Sequence, residues 1–135
     1  MKTTAKLVND EYVINGSKIF ISNAGVSDVY ILMCKTGDKE ISTILVEKGT
    51  KGLSFGKKEQ KMGWRSSPTC MVMFDDVKVP KRNLIGQQGI GFKIAMKALD
   101  GGRINIASTS LGAAQYCIEA AVQHLKTRKQ VVALI

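Results

Sequence analysis

Between residues 10 and 80 the chain is cut by turn signals about every ten residues, a spacing that suits a sandwich or small barrel of short antiparallel strands. The signals are Asn15-Gly16, Asn23-Ala24-Gly25, Thr36-Gly37-Asp38, Lys48-Gly49-Thr50 and Lys51-Gly52. The β-prone runs between them predict strands over Tyr12–Asn15, Ser17–Ser22, Asp28–Lys35, Glu40–Glu47, Leu53–Gly56 and Thr69–Val79. In Val29-Tyr30-Ile31-Leu32-Met33-Cys34 both faces are apolar, which predicts a central strand covered on both sides. Ile41–Val46 alternates less cleanly, with Ser42 and Thr43 on opposite faces. Pro80 closes the β region, because proline cannot continue a central strand.

Asn-Gly is the dipeptide best suited to a two-residue type I′ turn, since both positions tolerate φ > 0. Asn15-Gly16 therefore predicts a hairpin joining Tyr12–Asn15 to Ser17–Ser22. Strand alternation then places Ile19 and Ile21 on one face and Lys18, Phe20 and Ser22 on the other. A cation, an aromatic plane and a hydroxyl on one face suit a flat polar ligand; the alternative is an ordinary hairpin with a solvated outer face. The loop Gln60–Pro68 holds the one tryptophan, Trp64. Such a residue packs back over a core edge, or else meets a ligand or a neighbouring domain.

Beyond Pro80 the pattern becomes helical. Gly86, Gly89 and Gly91 imitate a phosphate-binding loop, but neither the GxGxxG nor the GxxxxGK[ST] spacing is present, and they read as a flexible joint. A helix over Phe92–Leu99 is expected, then a second after Asp100-Gly101-Gly102. In the second, Ile104, Ala107, Leu111, Ala114, Ile118, Ala121 and Leu125 form a continuous seam, as in a helical bundle. No other stretch is long enough to cover it, so another subunit or a missing segment is expected there. The fold class is α+β: residues 1–85 a β domain, 86–130 the first helices of a helical domain, and 131–135 an apolar tail.

The composition narrows the function. A net charge of +9 favours anionic partners such as phosphate-bearing small molecules. The cations are dispersed and aromatics make up only 6%, unlike a nucleic-acid-binding stripe. Three cysteines without CxxC spacing argue against a disulfide framework, and the single His124 leaves too few ligands for a structural zinc. No apolar run approaches a membrane span, and Met1–Lys6 lacks the apolar core of a signal peptide and is too short for a mitochondrial presequence.

Together the segments Asn15–Ala24, Gly52-Leu53, Lys61–Ser67, Phe74–Pro80, Gly89–Phe92, Asp100–Arg103 and Arg128–Gln130 resemble the acyl-CoA dehydrogenase family, in family order and over nearly the whole chain. The local wording is most similar to members acting on isobutyryl-CoA in mitochondrial valine breakdown. The resemblance implies a middle β domain, the first helices of the C-terminal bundle and an FAD cofactor. Phe20, Ile21 and Ser22 would meet the flavin ring, with the Ser22 hydroxyl toward N5. Asp100, Gly101, Gly102 and Arg103 would lie at the acyl-CoA site, and Arg128, Lys129 and Gln130 would reach the FAD of an adjacent subunit. It further implies α,β-dehydrogenation of a thioester, electron-transferring flavoprotein as acceptor, a homotetramer and the mitochondrial matrix.

Two departures matter. Some members carry their catalytic glutamate just before the arginine matching Arg103, where this chain has Gly102; no other carboxylate replaces it, so no catalytic residue is assigned. After Gln130 the family continues Phe-Gly, whereas Val131-Val132 stands here. The expectation is an inactive piece covering about a third of a full enzyme, or alternatively a non-catalytic flavin- or CoA-binding or subunit-interaction remnant.

Overall fold

The computed structural model describes residues 1–130 and the backbone of Ala133 and Leu134; the rest of the predicted tail over 131–135 lies outside the described residues. The chain falls into two compact units, Met1–Ile94 and Ala95–Ile135.

The first unit is one six-stranded sheet. Its strands are β1 (Thr4–Val8), β2 (Glu11–Ser22), β3 (Val29–Lys35), β4 (Ile41–Glu47), β5 (Leu53–Phe55) and β6 (Thr69–Pro80), in the order β4-β3-β1-β2-β6-β5. All neighbours are antiparallel except β1 and β3, which meet in parallel at Thr4 and Lys35. Tyr12 and Ile14 of β2, Leu32 and Cys34 of β3, Ile44 and Val46 of β4, and Val72, Phe74, Val77 and Val79 of β6 form a single buried cluster. Each large side chain so buried is worth about 1.5–3 kcal/mol.

The expected hairpin at Asn15-Gly16 is not a turn: β2 runs straight through it. The type I′ turn is one strand earlier, at Asn9 (φ 48°) and Asp10 (φ 63°), where Val8 pairs Glu11. Asn15 instead faces a bulge in β6, where Ile14 pairs Val77 but Gly16 pairs Phe74. Its amide Nδ2 donates to Asp76 Oδ1 (2.8 Å), and the Asp76 backbone N–H donates to Asn15 Oδ1 (2.9 Å). Gly16 is required for its own reason. At φ 131°, a Cβ there would stand 2.8 Å from the Thr3 Cα.

Two expectations about coverage are reversed. β3 is not covered on both sides: Tyr30, Leu32 and Cys34 are buried, whereas Val29 and Ile31 are more than half exposed. β4 is the doubly covered strand, with Ser42, Thr43 and Ile44 all fully buried. Its free edge is closed by the segment read as a flexible joint. Ile85 N–H donates to Thr43 O (2.8 Å), Gly89 N–H to Ser42 Oγ (3.0 Å) and Asn83 Nδ2 to Leu45 O (3.0 Å). Gly91 lies so close that a Cβ would be 2.7 Å from Ile41 O.

The two predicted helices are one, α1 (Gly91–Thr127), because Gly101-Gly102 continues the helix instead of breaking it. Ile104, Ile106, Leu111, Tyr116 and Ile118 are all more than half exposed. Ser108, Thr109 and Ser110 donate back to the carbonyls of Ile104, Asn105 and Ile106 (2.9–3.2 Å), hiding three hydroxyls against the backbone. A helix apolar on several sides is one meant to be surrounded. After it, β7 (Lys129–Gln130) pairs antiparallel with β8 (Ala133–Leu134).

Candidate functional site

A second bulge shapes the end of β2. Lys18 pairs Val72 but Ile21 pairs Cys70, so Ile19 and Phe20 together face the single residue Met71. Phe20 takes φ 58° and is 70% exposed. The bulge breaks the expected alternation. Lys18 turns inward and lines a 50 Å³ cavity with Ile21, Tyr30, Leu32, Val72 and Phe74, leaving Phe20 without it. Burial lowers the Lys18 pKa, and Cys34 opposes that shift. Burial pushes the Cys34 thiol up to about 11, with Lys18 pulling the other way. Ser22 remains exposed beside Asn23 at the strand end.

Beside this end of β2 docks the loop 61–68. Asn23 N–H donates to Pro68 O (2.6 Å) and Ser67 Oγ to Asn23 Oδ1 (2.8 Å). Lys61 Nζ ties the loop internally, reaching Trp64 O (2.9 Å) and Ser67 O (2.5 Å). The core-edge reading of Trp64 is overturned: at φ 53° it is 81% exposed, and Met62 is fully exposed. Phe20 and Trp64 are therefore both bulky residues held in the left-handed region and turned outward, a combination found where strain serves a site. Only the loop position of Trp64 was visible in the sequence; its exposure was not. Val26, Lys58, Glu59, Lys61, Arg65 and Ser66 border a neighbouring cleft of about 550 Å³.

The remaining expected residues belong to the second unit. Asp100, Gly101, Gly102 and Arg103 are consecutive and exposed in α1, where Gly102 and Arg103 border a shallow groove with Leu99, Ile106 and Ala107. Arg128, Lys129 and Gln130 are exposed just beyond its end, and Arg128 N–H still donates to His124 O (2.9 Å). With the Gln130 amide oxygen turned toward it, the Arg128 guanidinium donates to that oxygen through Nη2 (2.9 Å) and Nε (3.1 Å). Along the helix axis Arg103 and Arg128 are about 37 Å apart, so these two groups do not converge within one chain.

The family model of the acyl-CoA dehydrogenase middle domain matches residues 1–77, and that of the acyl-CoA dehydrogenase C-terminal domain matches residues 89–135. The chain belongs to the acyl-CoA dehydrogenase family. It is 56% identical to the mitochondrial isobutyryl-CoA dehydrogenase of Bos taurus over 96% of this chain and 32% of that one. It is 51% identical to a short-chain specific acyl-CoA dehydrogenase of Clostridium acetobutylicum, over 96% of this chain and 35% of the other. Among solved structures, a chain described with the electron transferring flavoprotein of Acidaminococcus fermentans superposes with a TM-score of 0.87 at 46% identity, covering 99% of this chain and 36% of that one. An acyl-CoA dehydrogenase complexed with FAD from Bacillus anthracis gives 0.86 at 35%, covering 99% and 23%. The chain thus spans about a third of the length of the relatives it matches. The family is one of FAD-dependent oxidoreductases acting on acyl-CoA thioesters.

Proposed function

We propose that this chain is the flavin-facing wall and first bundle helix of an acyl-CoA dehydrogenase whose substrate is a short branched acyl-CoA, isobutyryl-CoA first. The observation that carries the flavin assignment is Phe20: an aromatic ring 70% exposed, on a bulge at φ 58°, with the Ser22 hydroxyl two residues on. An exposed ring fixed on a strand offers a plane for a flat conjugated cofactor, and a nearby hydroxyl offers a hydrogen bond at its edge. These residues fit FAD. Arg128, Lys129 and Gln130 supply cationic and amide donors for phosphate or ribose oxygens, and their distance from Arg103 suits a cofactor on another subunit. Bound FAD would supply the hydride acceptor; the chain supplies alignment and exclusion of water.

The substrate preference rests on the 56% identity to an isobutyryl-CoA dehydrogenase, with short-chain dehydrogenases close behind. Asp100 to Arg103 would border the thioester. Electron-transferring flavoprotein as acceptor, a homotetramer and the mitochondrial matrix belong to the same reading.

The chain supplies no base for the α proton. Gly102 has no side chain to ionise. Glu119 lies about 24 Å along α1 from Arg103, its carboxylate accepting from Gln115 Nε2 (2.6 Å). The expected outcome is that the purified 135-residue chain does not turn over isobutyryl-CoA with an artificial acceptor; measurable turnover overturns this. A flavin absorption spectrum in the purified chain, lost in Phe20→Ala, tests the cofactor wall. The second reading, a non-catalytic binding or interaction remnant, is favoured by the exposed α1. It predicts that mixing the chain with a full-length family member changes that enzyme's activity.

A further inference from the structure

Asn-Gly is the dipeptide at which asparagine deamidates most readily, because glycine leaves its own amide nitrogen unshielded. Here each residue has its own structural role. Gly16 cannot carry a Cβ against Thr3, and the Asn15 amide is the clip that spans the β6 bulge. Asn15 is exposed, so water has access to it. Both ends of its amide are nevertheless held on the neighbouring strand, Nδ2 by the Asp76 carboxylate and Oδ1 by the Asp76 N–H. A side chain tethered across the sheet cannot swing its Cγ back onto the Gly16 nitrogen of its own strand.

We propose that the Asn15–Asp76 clasp guards a deamidation site that the fold cannot dispense with, and that opening the clasp starts an irreversible modification of β2. The chemistry needs only water. The Gly16 amide nitrogen attacks the Asn15 side-chain carbonyl, and ammonia leaves with the displaced proton to give a five-membered succinimide. Hydrolysis of that ring yields aspartate or isoaspartate. Either product sets a second carboxylate against Asp76, and isoaspartate also adds a methylene to the strand five residues before Phe20. The modification would therefore loosen the strand that presents Phe20 and Ser22.

The test is site-resolved mass spectrometry of the whole chain during incubation at physiological pH, reading the amide-to-carboxyl mass gain on the peptide containing Asn15. The native chain is expected to deamidate at Asn15 at least about tenfold more slowly than the same chain in urea, as the loss of two hydrogen bonds, one to a charged acceptor, implies. Asp76→Gly tolerates the positive φ and removes the carboxylate; it should fall between the two, with Asn9 and Asn23 unchanged. Equal rates in native buffer and urea overturn the proposal. So does an Asp76→Gly chain that keeps the native circular dichroism yet deamidates no faster. If that variant does not fold, the native-against-urea comparison decides alone.

Discussion

Phe20 holds a left-handed backbone conformation that an L-residue occupies at a cost of roughly 1–2 kcal/mol, and its largely exposed ring recovers little of that by burial. Phe20→Gly is therefore expected to stabilise the chain toward urea by up to about 1 kcal/mol while weakening flavin binding. A fall in both would show that the ring serves packing. Gly16 is the opposite case. Gly16→Ala introduces a Cβ 2.8 Å from the Thr3 Cα at a φ of 131°, and is expected to destabilise by about 2 kcal/mol or more, read as a lower urea midpoint. That two adjacent bulges depend on such different residues was not legible in the sequence. Asn15-Gly16 is chemically as apt for a strand facing a bulge as for a turn, and the choice falls to Thr3 and Asp76, 13 and 61 residues away from their partners.

Strands and helices were largely visible because their signals are local: β3, β4, β5 and β6 were expected within a few residues of where they lie, whereas β2 was expected as two strands and β1 not at all. β1 escaped because its turn, Asn9-Asp10, competes with the stronger Asn15-Gly16 signal six residues on. β3 was misjudged because apolar residues on both faces indicate that two faces want covering, not that this chain covers them. The long helix was misjudged because Gly101-Gly102 weakens a helix without forbidding it. A Cβ at Gly101 or Gly102 meets nothing within 4 Å, so their small size answers no clash within the described residues. Gly101→Ala and Gly102→Ala should each strengthen α1 in this chain by up to about 1 kcal/mol. Circular dichroism during thermal unfolding would register this, and a loss of helicity would refute it.

For the molecule as a whole, the exposed apolar length of α1 is the dominant liability. Ile104, Leu111, Tyr116 and Ile118 are 59–72% exposed, and large apolar side chains exposed together on one helix favour association. The chain is expected to bind hydrophobic dyes and to associate as its concentration rises, and Leu111→Lys with Ile118→Lys should suppress both. Sedimentation velocity checks this; a monomer unchanged at high concentration would contradict it. The seam behind this expectation was legible from spacing alone, whereas the exposure of Ile106, Tyr116 and Val122 outside it was not.

Local chemistry was enough for the succession of β runs and a helical seam, the excess of cations and the family motifs, since each depends on neighbouring residues. Folding was needed to settle that Asn15-Gly16 runs on as strand opposite a bulge in β6, that β4 and not β3 is enclosed, and that Lys18 is half-buried while Phe20 turns out. Those outcomes are set by contacts between residues far apart in the chain: Thr3 against Gly16, Asp76 against Asn15, Thr43 against Ile85 and Val72 against Lys18. A periodic pattern says which faces a segment can offer. Only the packed chain says which of them is taken.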